Sequence, residues 1–441
     1  MGCPFHPCPS VFICGSPSLP PKDPPSPPPN LIPMNIRPYD IAKDKAAVRR
    51  IFREVAWVDE KTENLVDTIA DSCRSFVAEL NGEAESIAIS APGVMRYLHA
   101  DIPFYACTGA ATSRIARKQG LVRRLLARLL AADVADGALV HALGMFEQGF
   151  YNHLGYGTGS YENLMSFDPA ALRVNVRARV PRRLTRDDTD LIHASRLARR
   201  RGHGGVSFHA ATVTTMEVLW SKDGFGLGYC DGPNGELTHH LWCTGRAERG
   251  PYHVDWMTFQ TRHQFLELMA LLKSLGDQVR AIRMREPQGI QFQSLLDRPF
   301  KQQEITEGSK FQCRIDARAY WQMRICNLEG CLARTSLQCG EARFNLRLSD
   351  PIENHLDDDS PWRGLAGDYI VTLGQSSGAE AGTDPSLPTL TASVNAFTRL
   401  WLGVGPTTGL AITDDLSGPD DLLNQLDQIL CLPQPKPDWD F

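Results

Sequence analysis

Ala110-Ala-Thr-Ser-Arg-Ile-Ala-Arg117-Lys-Gln-Gly120-Leu-Val-Arg-Arg-Leu-Leu-Ala-Arg-Leu-Leu130 reads as the end of a strand, a short basic loop with one glycine, and then a helix. Leu121, Leu125, Leu126, Leu129 and Leu130 recur at helical spacing, which predicts one apolar face. The first turn of such a helix presents unpaired backbone N–H groups, and Arg117, Lys118 and Arg123 stand beside it. A helix N-terminus and basic side chains attract a phosphate in concert. The same residues also suit a plain core helix with a solvated basic face. The rest of the chain has to decide between the two.

At 441 residues the chain is too long for one core, and roughly 150 residues per domain predicts about three. A net charge of −5 gives no general basic excess, so a nucleic-acid coat is excluded and the arginine clusters are read locally. No apolar run approaches the ~18 residues of a membrane-spanning helix, and no membrane partner is expected. The twelve cysteines are scattered and hold no Cys-x-x-Cys pair, which predicts reduced, mostly buried thiols in a cytosolic protein. His203 in Arg201-Gly-His-Gly-Gly and the pair His239-His240 near Cys243 lack metal-ligand spacing, so no metal is expected.

Residues 1–33 form a proline-rich extension whose Pro20–Pro29 run suits neither helix nor ladder. Its deletion is expected to leave activity intact. Folding is predicted to begin at Met34-Asn-Ile-Arg-Pro, a first strand. Val48, Ile51, Phe52 and Val55 then keep helical spacing behind Asp44. Ser75–Leu80 and Glu85–Ser90 flank Asn81-Gly82, the signature of a hairpin. A strand before Thr112, the opening loop and helix, and a short buried strand over Leu139–Gly144 follow. This order predicts a mixed α/β domain with a ligand site where the helix leaves the sheet.

Next comes Glu147-Gln-Gly-Phe-Tyr151-Asn-His-Leu-Gly155-Tyr-Gly157, a tight connection into a last strand over Tyr161–Phe167. A basic arm ending in Gly-Leu, a helix, a short strand and then Phe-Tyr-x-x-x-Gly-Tyr-Gly resembles the GNAT acetyltransferases, and among them the Eis-type branch (enhanced intracellular survival protein). The resemblance implies tandem GNAT folds, the second degenerate, followed by a sterol-carrier-protein-like α/β domain. Its limits are read as 34–168 for the catalytic unit, 169–318 for the degenerate one and 319–441 for the last. The middle block carries an amphipathic helix over Arg262–Leu275, with Phe265, Leu268, Met269 and Leu272 on its buried face. The arginine-rich run Arg173–Arg186 reads as a solvated linker face. The last block carries an alternating strand over Phe344–Asp350, a strand-to-helix pattern over Thr389–Leu402 and a short helix over Asp420–Leu430.

The resemblance also implies chemistry: acetyl-CoA as co-substrate and a primary amine of a small molecule or peptide as acceptor. Ala110, Ala111 and Thr112 fall on the strand that hydrogen-bonds the pantetheine arm through its backbone. Gln119, Gly120, Leu121 and Val122 offer the amides that reach the pyrophosphate, with Arg117, Lys118 and Arg123 around them. Arg117, Lys118 and Gln119 stand where the relatives carry three arginines. Phe146-Glu147 aligns with a Ser-Glu pair of the branch. Tyr151 is placed as general acid, since a phenol (pKa about 10) donates to a thiolate of slightly lower pKa. The terminal carboxylate of Phe441 is placed as base, with Asp438 and Asp440 adding negative potential, and a homo-oligomer is implied. The competing reading is a catalytically weakened GNAT and sterol-carrier-like protein that serves as a ligand- or lipid-binding module.

Overall fold

The computed structural model describes residues 35–245 and 247–441, so the proline-rich extension and the expectations attached to it lie outside the described residues. The fold is mixed α/β, with three sheets among the described residues.

The first sheet is built from β1 (Asn35–Pro38), β2 (Arg74–Leu80), β3 (Glu83–Tyr97), β4 (Ala100–Thr112), β5 (Val140–Gly144) and β6 (Gly157–Thr158). Between β1 and β2 stand α1 (Ile41–Glu54) and α2 (Asn64–Ser72); α3 (Leu121–Ala135) joins β4 to β5, and α4 (Gln148–Asn152) precedes β6. Asn81 and Gly82 both take positive φ in the β2–β3 turn, as the Asn-Gly signal predicts. Asp40 caps α1 by accepting from the Ala42 N–H, and Val48, Ile51 and Phe52 are buried beneath it. All five leucines of the α3 stripe are buried. Each burial contributes about 2 kcal/mol relative to exposure, so the start of α3 is held firmly on the sheet.

Spatial order in this sheet is β1, β2, β3, β4, β5, then the strand Trp321–Ile325, then β6. The second sheet repeats it strand for strand. From one edge it runs Arg182–Leu184, Gly224–Tyr229, His239–Thr244, Tyr252–Thr258, Ile282–Arg285, Glu162–Phe167 and Arg314–Arg318. In both sheets one pair is parallel and bridged by a helix: β4 with β5 across α3, and Tyr252–Thr258 with Ile282–Arg285 across the helix Arg262–Ser274. The two halves also exchange a strand. Glu162–Phe167, expected as the last strand of the first block, pairs instead with Ile282–Arg285 in the second sheet. Trp321–Ile325, expected to open the third block, pairs with β5 and β6 in the first. Each run is apolar enough to be buried in either sheet, so only the tertiary fold assigns it.

A five-stranded sheet, ordered Gly378–Ala381, Gly367–Leu373, Ala342–Ser349, Thr389–Ser393 and Leu416–Ser417, forms the last unit with its helices. One continuous apolar core joins it to the first sheet, and Tyr97 stacks on Trp401 with ring centroids 4.3 Å apart. The segment Val206–Phe208 also docks on β3, where Gly93 is required: a Cβ there would stand 2.2 Å from the Ser207 carbonyl oxygen. Nine cysteines among the described residues are free thiols, with Cys107, Cys243, Cys313, Cys326 and Cys331 buried.

Candidate active site

The parallel pairing of β4 and β5 runs from Phe104 opposite Val140 to Cys107 opposite Leu143 and stops there. A β-bulge causes the parting. Ile89 faces Gly109 and Ser90 faces Cys107, leaving Thr108 as the extra residue on β4. Beyond it, Gly109 to Thr112 remain paired to β3 only, so their other backbone edge opens into the cleft between the diverging strands. Ala110, Ala111 and Thr112 therefore lie where an extended ligand arm would add hydrogen bonds along a strand edge.

From that edge the chain turns through Arg114–Ala116 and reaches α3 by way of Lys118 (φ 63°) and Gly120 (φ 77°). A Cβ at Gly120 would meet nothing within 4 Å, so the left-handed backbone, not lack of room, favours glycine there. Gly120 caps α3 without a side-chain acceptor, which leaves the first-turn N–H groups of Leu121, Val122 and Arg123 to a ligand. Arg117, Lys118 and Gln119 are exposed around them, and Arg123 lies over the Phe150 ring at 5.4 Å. The open strand edge and the uncapped helix start fit the pantetheine and pyrophosphate of acetyl-CoA.

Tyr151 lies buried in α4, on the far side of β5 from this arm in the sequence. Its ring packs against Phe146, Phe150 and Tyr156 at centroid distances of 5.5, 5.0 and 6.3 Å. Phe146 is exposed and forms an aromatic rim, while Glu147 is spent as the cap of α4, accepting from the Gly149 N–H at 3.2 Å. Behind Tyr151 lies a network that local sequence patterns leave unread. Tyr156 Oη stands 2.9 Å from His141 Nδ1, and His141 Nε2 stands 3.1 Å from Asp133. Ser90 and Arg74 complete the surroundings of Asp133. All three of Tyr156, His141 and Asp133 are buried, and burial pushes the Tyr156 hydroxyl well above its usual range. Tyr156 is thus a structural phenol. The signal was an aspartate on the apolar face of α3.

The C-terminal tail runs into the same cleft. A Cβ on Gly144, the last residue of β5, would stand 3.3 Å from the Phe441 main-chain oxygen. The Phe441 ring packs on Phe104 and Phe208 at 5.8 and 6.3 Å. Arg199 holds Asp438 through two hydrogen bonds (2.7 and 3.1 Å), Arg285 pairs with Asp440, and Trp439 lies buried under the Arg196 guanidinium at 3.6 Å. Asp438 and Asp440 are therefore paired with arginines, which corrects their reading as a source of free negative potential. Nearby, burial and the Asp440 charge push Asp255 up to about 7.

The second half follows the same path with different residues. Its bulge leaves Asp255 as the extra residue, and its parallel pairing ends at Val254 opposite Met284. The helix Arg262–Ser274, however, opens on a capping box. Thr261 Oγ1 accepts from the Gln264 N–H at 3.3 Å, and Gln264 Oε1 accepts from the N–H groups of Thr261 and Gln260 at 3.1 and 2.7 Å. The Thr261 side chain thus takes one of the first-turn amides, the Gln264 N–H, and the Gln264 side chain folds back over the helix start.

The histidines singled out in the sequence have ring partners. His203 accepts from the Leu98 N–H (3.1 Å) and donates to the Leu402 carbonyl (2.9 Å); His240 lies 3.1 Å from both Ser195 Oγ and Trp256 Nε1. Asp231, His239 and Glu267 come together as a metal-like group that spacing did not reveal. Arg179 already supplies its cation, bonding Glu267 at 2.8 Å and Asp231 at 2.7 Å. The arginines of the Arg173–Arg186 run are exposed, as a solvated linker face requires, and Arg179 is the one among them that reaches this group.

No protein-family model matches the chain, and no curated protein does. Solved structures match its fold over almost the whole length. A conserved protein of unknown function from Enterococcus faecalis V583, described as a probable N-acyltransferase, gives a TM-score of 0.72 at 16% identity, covering 93% of this chain and 100% of that one. A GCN5-related N-acetyltransferase from Anabaena variabilis gives 0.74 at 13% identity, with 93% and 100% covered. Eis1 from Mycobacterium abscessus gives 0.70 at 14% identity, with 92% and 100% covered. The likeness is one of fold, and it extends through all three units.

Proposed function

We propose that the chain is an acyltransferase that moves acetyl from acetyl-CoA to a primary amine of a small molecule or peptide. One observation carries the reading: β4 opens its edge after the Thr108 bulge and leads directly to a helix whose amides no side chain caps. Acetyl-CoA, when bound, supplies the thioester whose acetyl carbon is transferred. Ala110, Ala111 and Thr112 hold the pantetheine arm through their backbone. Gln119 to Arg123 take the pyrophosphate, with Arg117 and Lys118 supplying charge.

The acceptor amine attacks directly. Cys107 is the cysteine at the parting of the strands, and burial pushes its thiol up to about 12, which supports transfer without a cysteinyl intermediate. The Phe441 carboxylate takes one proton of the acceptor ammonium, the Tyr151 hydroxyl gives its proton to the departing sulfur as the C–S bond breaks, and the second proton shed by the acylated nitrogen restores the Tyr151 hydroxyl. We read the second unit as degenerate and the third as sterol-carrier-like.

Thiol release from acetyl-CoA, measured against polyamines, aminoglycosides and lysine peptides, tests the reading. Turnover with at least one amine is expected, and appending a few residues after Phe441 is expected to abolish it while the thermal melt stays unchanged. Acetyl-CoA binding without turnover on any amine would favour the binding-module reading instead.

A further inference from the structure

The turn that carries Tyr151 is held by side chains that lie far from it in the sequence. Between Gln148 and Tyr156, four backbone carbonyls accept hydrogen bonds from three side chains that lie far along the sequence. Gln322 Nε2 donates to the Gln148 carbonyl at 3.2 Å. Arg324 Nη1 donates to Leu154. Asn395 Nδ2 donates to both Asn152 and Tyr156, at 2.9 Å each. Arg324 is fully buried, with its charge matched by an equally buried Asp350 at 2.6 Å. The exchanged strand Trp321–Ile325 contributes the first two side chains, and the helix Val394–Trp401 of the third unit contributes Asn395.

The glycines of the turn make this approach possible. A Cβ at Gly155, whose φ is 82°, would stand 2.6 Å from Arg324 Nη1 and 2.7 Å from Val394 Cγ1. A Cβ at Gly157 would stand 2.4 Å from the Asn395 carbonyl oxygen. Neither distance tolerates a side chain, so the spacing of the two glycines records the docking of the third unit and not a local turn requirement alone.

We propose that Asn395 is a positioning residue for Tyr151, and that the third unit clamps the turn in its working geometry. This rests on Tyr151 acting as the general acid. A proton donor misplaced by about 1 Å costs up to about a hundredfold in rate, so losing the two bonds at the ends of the turn acts on the chemical step rather than on cofactor binding. Asn395 is only partly buried, and its truncation leaves the core intact.

The test uses full-length Asn395→Ala and the isosteric Asn395→Asp, which keeps the shape and loses both donors. In each, kcat is expected to fall about tenfold to a hundredfold while KM for acetyl-CoA stays within about twofold. Placed on a Tyr151→Phe background, the same substitutions are expected to change kcat by less than about twofold, because no acid remains to misplace. Amide hydrogen exchange over residues 148–158 is expected to quicken about tenfold, a readout that needs no activity. Equal losses of kcat with and without the Tyr151 hydroxyl would overturn the proposal, as would exchange at the wild-type rate. A fully active Tyr151→Phe enzyme would instead remove the acid assignment, and with it the positioning role, while the exchange rates still decide whether the clamp exists.

Discussion

The first and second halves of this protein place seven strands in the same order and part the same pair of strands at the same point, yet they end at opposite chemistry. Three corresponding positions account for the difference. Where the bulge falls, the first half has Thr108 and the second has Asp255. Where the helix begins, Gly120 caps no amide, whereas Thr261 takes the Gln264 N–H and Gln264 folds back on the N–H groups of Thr261 and Gln260. Where the parallel strand ends, Gly144 leaves room for the chain terminus, whereas Arg285 fills the space and pairs with Asp440 and Glu162. A parted pair of strands makes a cleft; only unsatisfied backbone donors make it an anion site. Where a capping box draws side chains over the helix start, the same scaffold becomes a wall that holds the tail.

The comparison can be broken most severely at Tyr151, which has no counterpart function in the second half. Tyr151→Phe is expected to lower kcat by about 10²–10³ with KM for acetyl-CoA nearly unchanged, read from steady-state thiol release. At Gly120, a valine is expected to raise KM for acetyl-CoA about tenfold or more, because a β-branched residue resists positive φ and turns the amides away. The matching change in the second half, Thr261→Ala, is expected to cost only about 1 kcal/mol of stability in a denaturant titration and to leave turnover untouched. Equal kinetic effects at Gly120 and Thr261 would erase the distinction between the halves.

The smallest effect concerns Asp255. Its carboxyl titrates near 7 in the folded chain, above its ordinary value of 3.8, so the folded state holds the proton more tightly than the unfolded one. Stability from this group is therefore present at low pH and is lost as pH rises from about 4 to 7. Asp255→Asn is expected to raise the melting temperature at pH 8 and to change it little at pH 4, measured by scanning calorimetry.

Much of the first half's fold was legible because its signals are local. The leucine stripe of α3, the Gly120 turn and the Asn-Gly hairpin are each set by a few neighbouring residues and the period of a helix or strand. Tyr151 was legible through its flanking glycines, although their steric reason lies more than 150 residues away in Arg324 and Asn395. The duplication was legible only through the family resemblance and not from local pattern, since the second helix replaces a basic glycine arm with Phe-Gln-Thr-Arg-His-Gln and keeps only the backbone path. Gln322 and Arg324, polar residues alternating within an apolar strand, were the signal that the strand carries a buried polar partnership.

The sequence by itself determined which segments become helices and strands, where one helix begins without a cap, and that two large aromatics near the terminus need burial. Trp439 is indeed buried, and Phe441 packs against Phe104 and Phe208. The tertiary structure decided which sheet each apolar strand joins, because Glu162–Phe167 and Trp321–Ile325 gain their partners only across the two halves. It also decided which groups surround the Tyr151 turn, because hydrogen bonds between residues 152 and 395 depend on packing over distances that no local pattern encodes.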